Sequence, residues 1–157
     1  MITPAKDALG IGSFVRRVHQ EIPLTQAMEW NVTNVDALHI KAFAPLAPNI
    51  NDKGTFFGGA SSALMTISAW TLIKFQLEQL GLDNDVVIHK SSSQWLRPQN
   101  SKMFIECAFQ DQPDWQKIKT DLLEQNQNIH LKVICQAAND TDTTCKMKAR
   151  YVILAKG

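Results

Sequence analysis

Net charge is nearly absent from this 157-residue chain, in which sixteen lysines and arginines stand against fifteen aspartates and glutamates to leave +1. That balance gives no global pull toward nucleic acid or a membrane surface, so binding a polyanion requires a local patch. Cysteine is scarce too. Cys107, Cys135 and Cys145 are odd in number and lack metal-type spacing, and Cys107 and Cys135 lie in apolar, strand-like runs that suit buried free thiols. The longest apolar run, near residues 60–73, is broken by Ser61, Ser62, Thr66, Ser68 and Thr71 and is too short to span a bilayer. Met1-Ile2-Thr3-Pro4 leads into mixed charge without the apolar core of a secretion signal. Repeats, linkers, a Walker loop, a Ser-His-Asp signature, a metal-ligand cluster and a basic–aromatic nucleic-acid motif are all missing. These absences lead us to expect a cytoplasmic protein in a reducing compartment, with no metal, no nucleic-acid partner and no membrane insertion.

What is present is ordinary globular material, 45% hydrophobic and 20% charged, at a length that suits one domain over residues 1–157. Residues 1–23 read as an N-terminal helical segment, amphipathic from Ile11 to Ile22 with Phe14, Val15, Val18 and Ile22 on one side and Pro23 stopping it. Strands are expected at Ala27–Thr33 and Leu38–Ala44, joined by a turn at Asn34-Val35-Asp36. A long helix from about Phe57 to Leu80 follows, ending at Gly81. Later come strands Val86–Leu96, Met103–Phe109, Ile129–Ala137 and Thr144–Leu154, with a helix at Pro113–Gln125 between the second and third of these. His19, His39 and His130 have no chemical company in sequence and read as surface residues.

The segment Asn51-Asp52-Lys53-Gly54-Thr55-Phe56-Phe57-Gly58-Gly59-Ala60 is the most informative in the chain. A Gly-Gly step at a helix start exposes backbone N–H groups, an open electropositive place for a carbonyl oxygen or an anion. The helix behind it is apolar on nearly every side, so other elements must wrap it. Six mostly antiparallel strands and one such helix imply an α+β fold, a single curved sheet around the helix.

Asn-x-x-Gly-Thr-x-x-Gly-Gly before a buried helix, together with a strand ending Trp95-Leu96-Arg97-Pro98, resembles the hotdog-fold thioesterases. Within them the Pro48–Gly59 stretch is similar to the thioesterase-like domain found C-terminal to some acetyltransferases, here in stand-alone form. The resemblance implies hydrolysis of an acyl thioester of coenzyme A or acyl carrier protein, without a cofactor, by a homodimer or dimer of dimers with sites at subunit boundaries. By position Gly58 would give its N–H to the thioester oxygen, and Asn51 would hold substrate or the attacking water. Two departures stand out: the usual His before the glycines is Phe57, and the usual carboxylate seven residues after the second glycine is Thr66.

The remaining chemistry is assigned residue by residue. An oxyanion donor such as Gly58 N–H is worth about 10²–10³ in rate; the alternative is that Gly58-Gly59 only permits close packing. Ser62 and Thr66 share a helix face with Gly58 or Gly59 just below, and either hold substrate or bond back to the i−4 carbonyl. On the strand Val86–Leu96, alternation puts His89, Ser91 and Ser93 on one face and Lys90, Ser92 and Gln94 on the other, making His89 the candidate general base. Asp52 is a second candidate. Arg97, Lys53 and the alternating Lys146, Lys148 and Arg150 are placed to meet phosphate or to form a solvated face. Phe56, Phe57, Trp70 and Trp95 are candidate walls for an acyl chain. Two rivals remain open: an acyl-binding domain without catalysis, and a hydratase or dehydratase, which needs an Asp–His pair that the sequence does not offer.

Overall fold

The structure is a computed structural model that describes residues 2–157, with side chains from residue 10 onward. Two helices lead, α1 (Ile2–Glu21) and the short α2 (Pro23–Ala27), followed by strands β1 (Asn31–Val35) and β2 (His39–Ala44). The long helix α3 (Gly58–Gln79) comes next, then β3 (Val86–Trp95), β4 (Met103–Phe109), α4 (Trp115–Leu123), β5 (Ile129–Ala138) and β6 (Thr143–Ile153). The strands form one antiparallel sheet in the order β1-β2-β4-β5-β6-β3, so β1 and β3 are its edges. This is the α+β, six-stranded hotdog arrangement that the sequence predicts.

α3 carries no polar stripe, and Leu64, Met65, Leu72, Ile73 and Leu77 are all buried. The sheet meets it with alternate residues, Met103, Ile105 and Cys107 on β4, Val133, Cys135 and Ala137 on β5, and Cys145, Met147 and Tyr151 on β6. Period-two alternation therefore fixes register, since a slip of one residue would turn this set to water. Trp30 is fully buried, and its indole Nε1 donates to Ser68 Oγ at 3.0 Å. Ser68 in turn donates to Leu64 O at 2.7 Å.

The N-terminal third departs from the expected elements. The expected strand at Ala27–Thr33 begins only at Asn31. Pro23, read as a helix stop, instead opens α2, where its fixed φ and missing N–H suit the first helical position. Leu24 and Met28 are four apart, which is helical spacing rather than alternation. Thr25 is buried and its hydroxyl donates to Ile22 O at 2.7 Å. Glu29 then turns the chain with a φ of 55°. His19 is not a free surface residue either: it is half-buried with Nε2 2.8 Å from Trp30 O.

The pairing of β3 with β6 shifts between Ile88 and Lys90, a bulge that takes His89 out of the ladder. Before it, Val86 and Ile88 pair with Ile153 and Tyr151 on the helix side; after it, Ser91, Ser93 and Trp95 pair with Ala149, Met147 and Cys145 on that side. His89 therefore does not share a face with Ser91 and Ser93, as simple alternation predicts. Its ring lies across the sheet's outer face, 6.1 Å between centroids from His130. The extra residue of a bulge reverses strand parity, and alternation counted through it fails.

Candidate active site

The loop before α3 is tied by Asn51. Its Oδ1 accepts from Lys53 N at 2.8 Å and Thr55 N at 3.0 Å, while Nδ2 donates to Thr55 Oγ1 at 2.8 Å and to Phe56 O at 3.3 Å. Gly54 turns at a φ of +80°, a left-handed conformation that favours glycine. Two further bonds seat the loop, Phe57 N to Asn49 O and Phe56 N to Gln99 O, both at 2.8 Å. Gln99 is buried and its Nε2 donates to Ser101 O, Lys102 O and Ala138 O, anchoring the loop to the sheet. Gln99 carries no signal in the sequence beyond sitting next to Pro98.

Phe57 is the residue before α3, with an extended backbone and no side-chain cap. Its carbonyl accepts from Ala60 N and Ser61 N. The N–H groups of Gly58 and Gly59 have no acceptor among the described residues, so the helix start presents two free donors. At both glycines a side chain would crowd an aromatic neighbour. A Cβ on Gly59 would lie 2.6 Å from the Phe57 ring, and one on Gly58 3.3 Å from Trp95 Nε1. Trp95 Nε1 donates to Gly58 O at 3.2 Å. Two aromatic rings thus flank the free donors, both more than half exposed at 59% for Phe57 and 54% for Trp95.

From there a seam runs between α3 and β3, which lie antiparallel: Trp95 meets Gly58 at one end, and Trp70 Nε1 donates to Val86 O at 2.9 Å at the other. Ser91 and Ser93 face α3 between these ends, and Ser62 lies one turn along the helix from Gly58. At the far end is a cavity of about 270 Å³ whose walls include Leu24, Met28, Ala63, Thr66, Trp70 and Tyr151. Of the four expected aromatic walls, Trp70 lines this cavity, Phe56 is core, and Phe57 and Trp95 stand at the helix start. The α1–α2 junction supplies the rest, and the four-residue spacing of Leu24 and Met28 is the sequence signal for that wall.

Thr66 faces the cavity; its hydroxyl has only a 4.0 Å contact to Met147 Sδ, and its carbonyl accepts from Tyr151 Oη at 2.7 Å. Burial pushes the Tyr151 phenol well above its usual range, so it stays a neutral donor. Thr66 lies eight residues beyond Gly58, about 12 Å along the helix axis. The two cannot touch one carbonyl within a single chain. Among the described residues, the cavity walls and the inward side chains of the seam hold no Asp, Glu or His.

The other candidates sit apart. Asp52 and Lys53 form an exposed pair at 3.0 Å. Arg97 reaches Asp142 at 3.4 Å at the surface. Lys146, Lys148 and Arg150 point away from α3 on the outer face with His89.

The family model described as "Putative thioesterase (yiiD_Cterm)" matches residues 12–155. Among solved structures, a "putative thioesterase" from Shewanella oneidensis superposes with a TM-score of 0.79 at 21% identity, covering 94% of this chain and 98% of that one. A protein of unknown function from Chlorobaculum tepidum gives 0.78 at 21% identity over 90% and 91% of the two chains. A thioesterase from Haemophilus influenzae gives 0.67 at 17% identity, covering 85% of each. At these identities the superpositions speak for the fold alone. No curated protein matches the sequence.

Proposed function

We propose that this chain, which belongs to the family "Putative thioesterase (yiiD_Cterm)", hydrolyses an acyl thioester of coenzyme A or acyl carrier protein seated along the α3–β3 seam. The observation that carries this reading is the pair of free N–H groups at Gly58 and Gly59, with an apolar cavity further along the same seam. At about 270 Å³ that cavity is at the small end of ligand pockets. The thioester oxygen sits on the Gly58 N–H, with Gly59 beside it, and Phe57 and Trp95 flank the thiol arm. Water bonds to the carbonyl carbon, negative charge collects on the oxygen facing the helix start, and the C–S bond breaks. The leaving sulfur takes the proton that the water loses. Ser62 and Ser91 hold the water, and Asn51 acts by holding the loop that aims the donors. Arg97, at the end of β3, meets the phosphate end of the donor.

A second copy of the chain completes the site in this proposal. β3 is a ten-residue edge strand, exposed along most of its length, and its free N–H and C=O groups form a template for pairing. Antiparallel pairing of two β3 strands sets the Gly58–Trp95 end of one copy beside the Thr66–Ile88 end of the other. That brings Thr66 of the partner subunit toward Gly58, which the 12 Å helix rise forbids within one chain. The missing carboxylate and imidazole favour a second reading, acyl-thioester binding without turnover.

A thiol-capture assay across acyl-CoA chain lengths tests the proposal. Turnover is expected, with Ala63→Trp cutting activity on long chains at least tenfold while sparing acetyl-CoA. Saturable acyl-CoA binding without thiol release would establish the second reading instead.

A further inference from the structure

The outer face of the sheet carries charge that points away from the α3–β3 seam. In one row across three adjacent strands, Lys132 on β5 pairs with Arg150 on β6, and Arg150 with Lys90 on β3. Lys148 and Lys146 follow on β6 at two-residue steps, on the same face. Neighbouring strands are about 4.8 Å apart, and like charges directly opposite one another destabilise a sheet. No carboxylate lies within ion-pair distance of any of the five among the described residues. On β3, β5 and β6 this face holds no acid; Glu106 on β4 stands opposite Gln136. In a chain with a net charge of +1, such a row is a local concentration, not the overflow of a basic protein.

The row also encloses space. Lys90, Lys132, Lys148 and Arg150, with Ser92 and Gln110, line a surface cavity of about 230 Å³. Guanidinium forks match phosphate oxygens in pairs, ammonium groups add point charge, and hydroxyl and amide groups supply neutral donors. We infer that this face binds a ligand bearing a diphosphate or several phosphates, through Lys90, Lys132, Lys148 and Arg150. Two sources carry that chemistry: a free nucleoside polyphosphate, or the phosphorylated end of a coenzyme A substrate. The second rests on the proposed thioesterase reading; the first does not.

Calorimetric titration of the purified protein with pyrophosphate, a nucleoside triphosphate and coenzyme A tests the site. Wild type is expected to bind at least one of them saturably, more weakly as salt rises, and Lys132→Ser/Arg150→Ser to bind at least tenfold more weakly. The melting temperature of the free variant is expected to equal or exceed wild type, since two like charges are relieved; this separates lost binding from lost folding. Kinetics then assign the source. If the KM for acyl-CoA rises at least fivefold while that for a phosphate-free N-acetylcysteamine thioester is unchanged, the ligand is coenzyme A itself. If both are unchanged while nucleotide binding is lost, the site takes a free nucleotide. A wild type with no saturable binding, or a variant that binds as wild type does, overturns the inference, and neither result depends on turnover.

Discussion

Asn51 is proposed to act through the loop it holds rather than by touching substrate. All four hydrogen bonds of its carboxamide go to Lys53, Thr55 and Phe56. Asn51→Ala should therefore lower stability by about 1–3 kcal/mol as well as cut turnover, measured by denaturant melts alongside thiol release. Asn51→Asp keeps the two accepted bonds and should fall between. At Gly59 the prediction concerns shape. Gly59→Ala forces the Phe57 ring aside, so turnover should fall, and Phe57→Ala in the same chain should recover part of it; a double variant no better than the single would refute this. The helix start at Gly58 was legible because a Gly-Gly step between a polar loop and an apolar run marks it. What was not legible is that Phe57 fills the space over Gly59, since a ring's direction depends on a backbone angle that spacing does not report.

At the level of elements, α3 and strands β4 to β6 followed from periodicity because burial there is one-sided or complete. α2 escaped because five residues cannot establish a period and because proline at a helix start resembles proline at a stop. β3 deceived in another way: its alternation is regular on both sides of His89, and nothing in the sequence marks the extra residue between. The same strand is the proposed seam between copies. Ser91→Asp/Ser93→Asp places four carboxylates about the twofold of a β3–β3 pairing, and like charges across strands oppose pairing. Light scattering should then report a monomer with turnover lost. A dimer that persists with this variant would exclude pairing through β3.

Across the whole molecule, the buried thiol and phenol that couple stability to alkaline pH lie on the helix side of the sheet. Burial raises the Cys107 thiol and the Tyr151 phenol, so above their ordinary values, about 8.5 and 10, the folded protein holds protons that the unfolded chain has released. Their contribution to stability is then complete below about pH 8.5 and falls as pH rises, the unfolded state binding fewer protons. Melting temperature against pH should show this alkaline decline, and Tyr151→Phe should flatten it above about pH 10 while starting lower for want of the bond to Thr66 O. The bulge at His89 ties this interior to the exterior. Remove that one residue and Ile88 is followed directly by Lys90, whose partners Tyr151 and Arg150 are themselves consecutive, so both flanks keep their faces. In heredity this makes His89 a spare position: a substitution exchanges one solvent-facing ring, and a single-codon deletion restores the regular ladder. Loss of one residue is therefore tolerated here, where in a regular strand it would turn every following side chain to the other face.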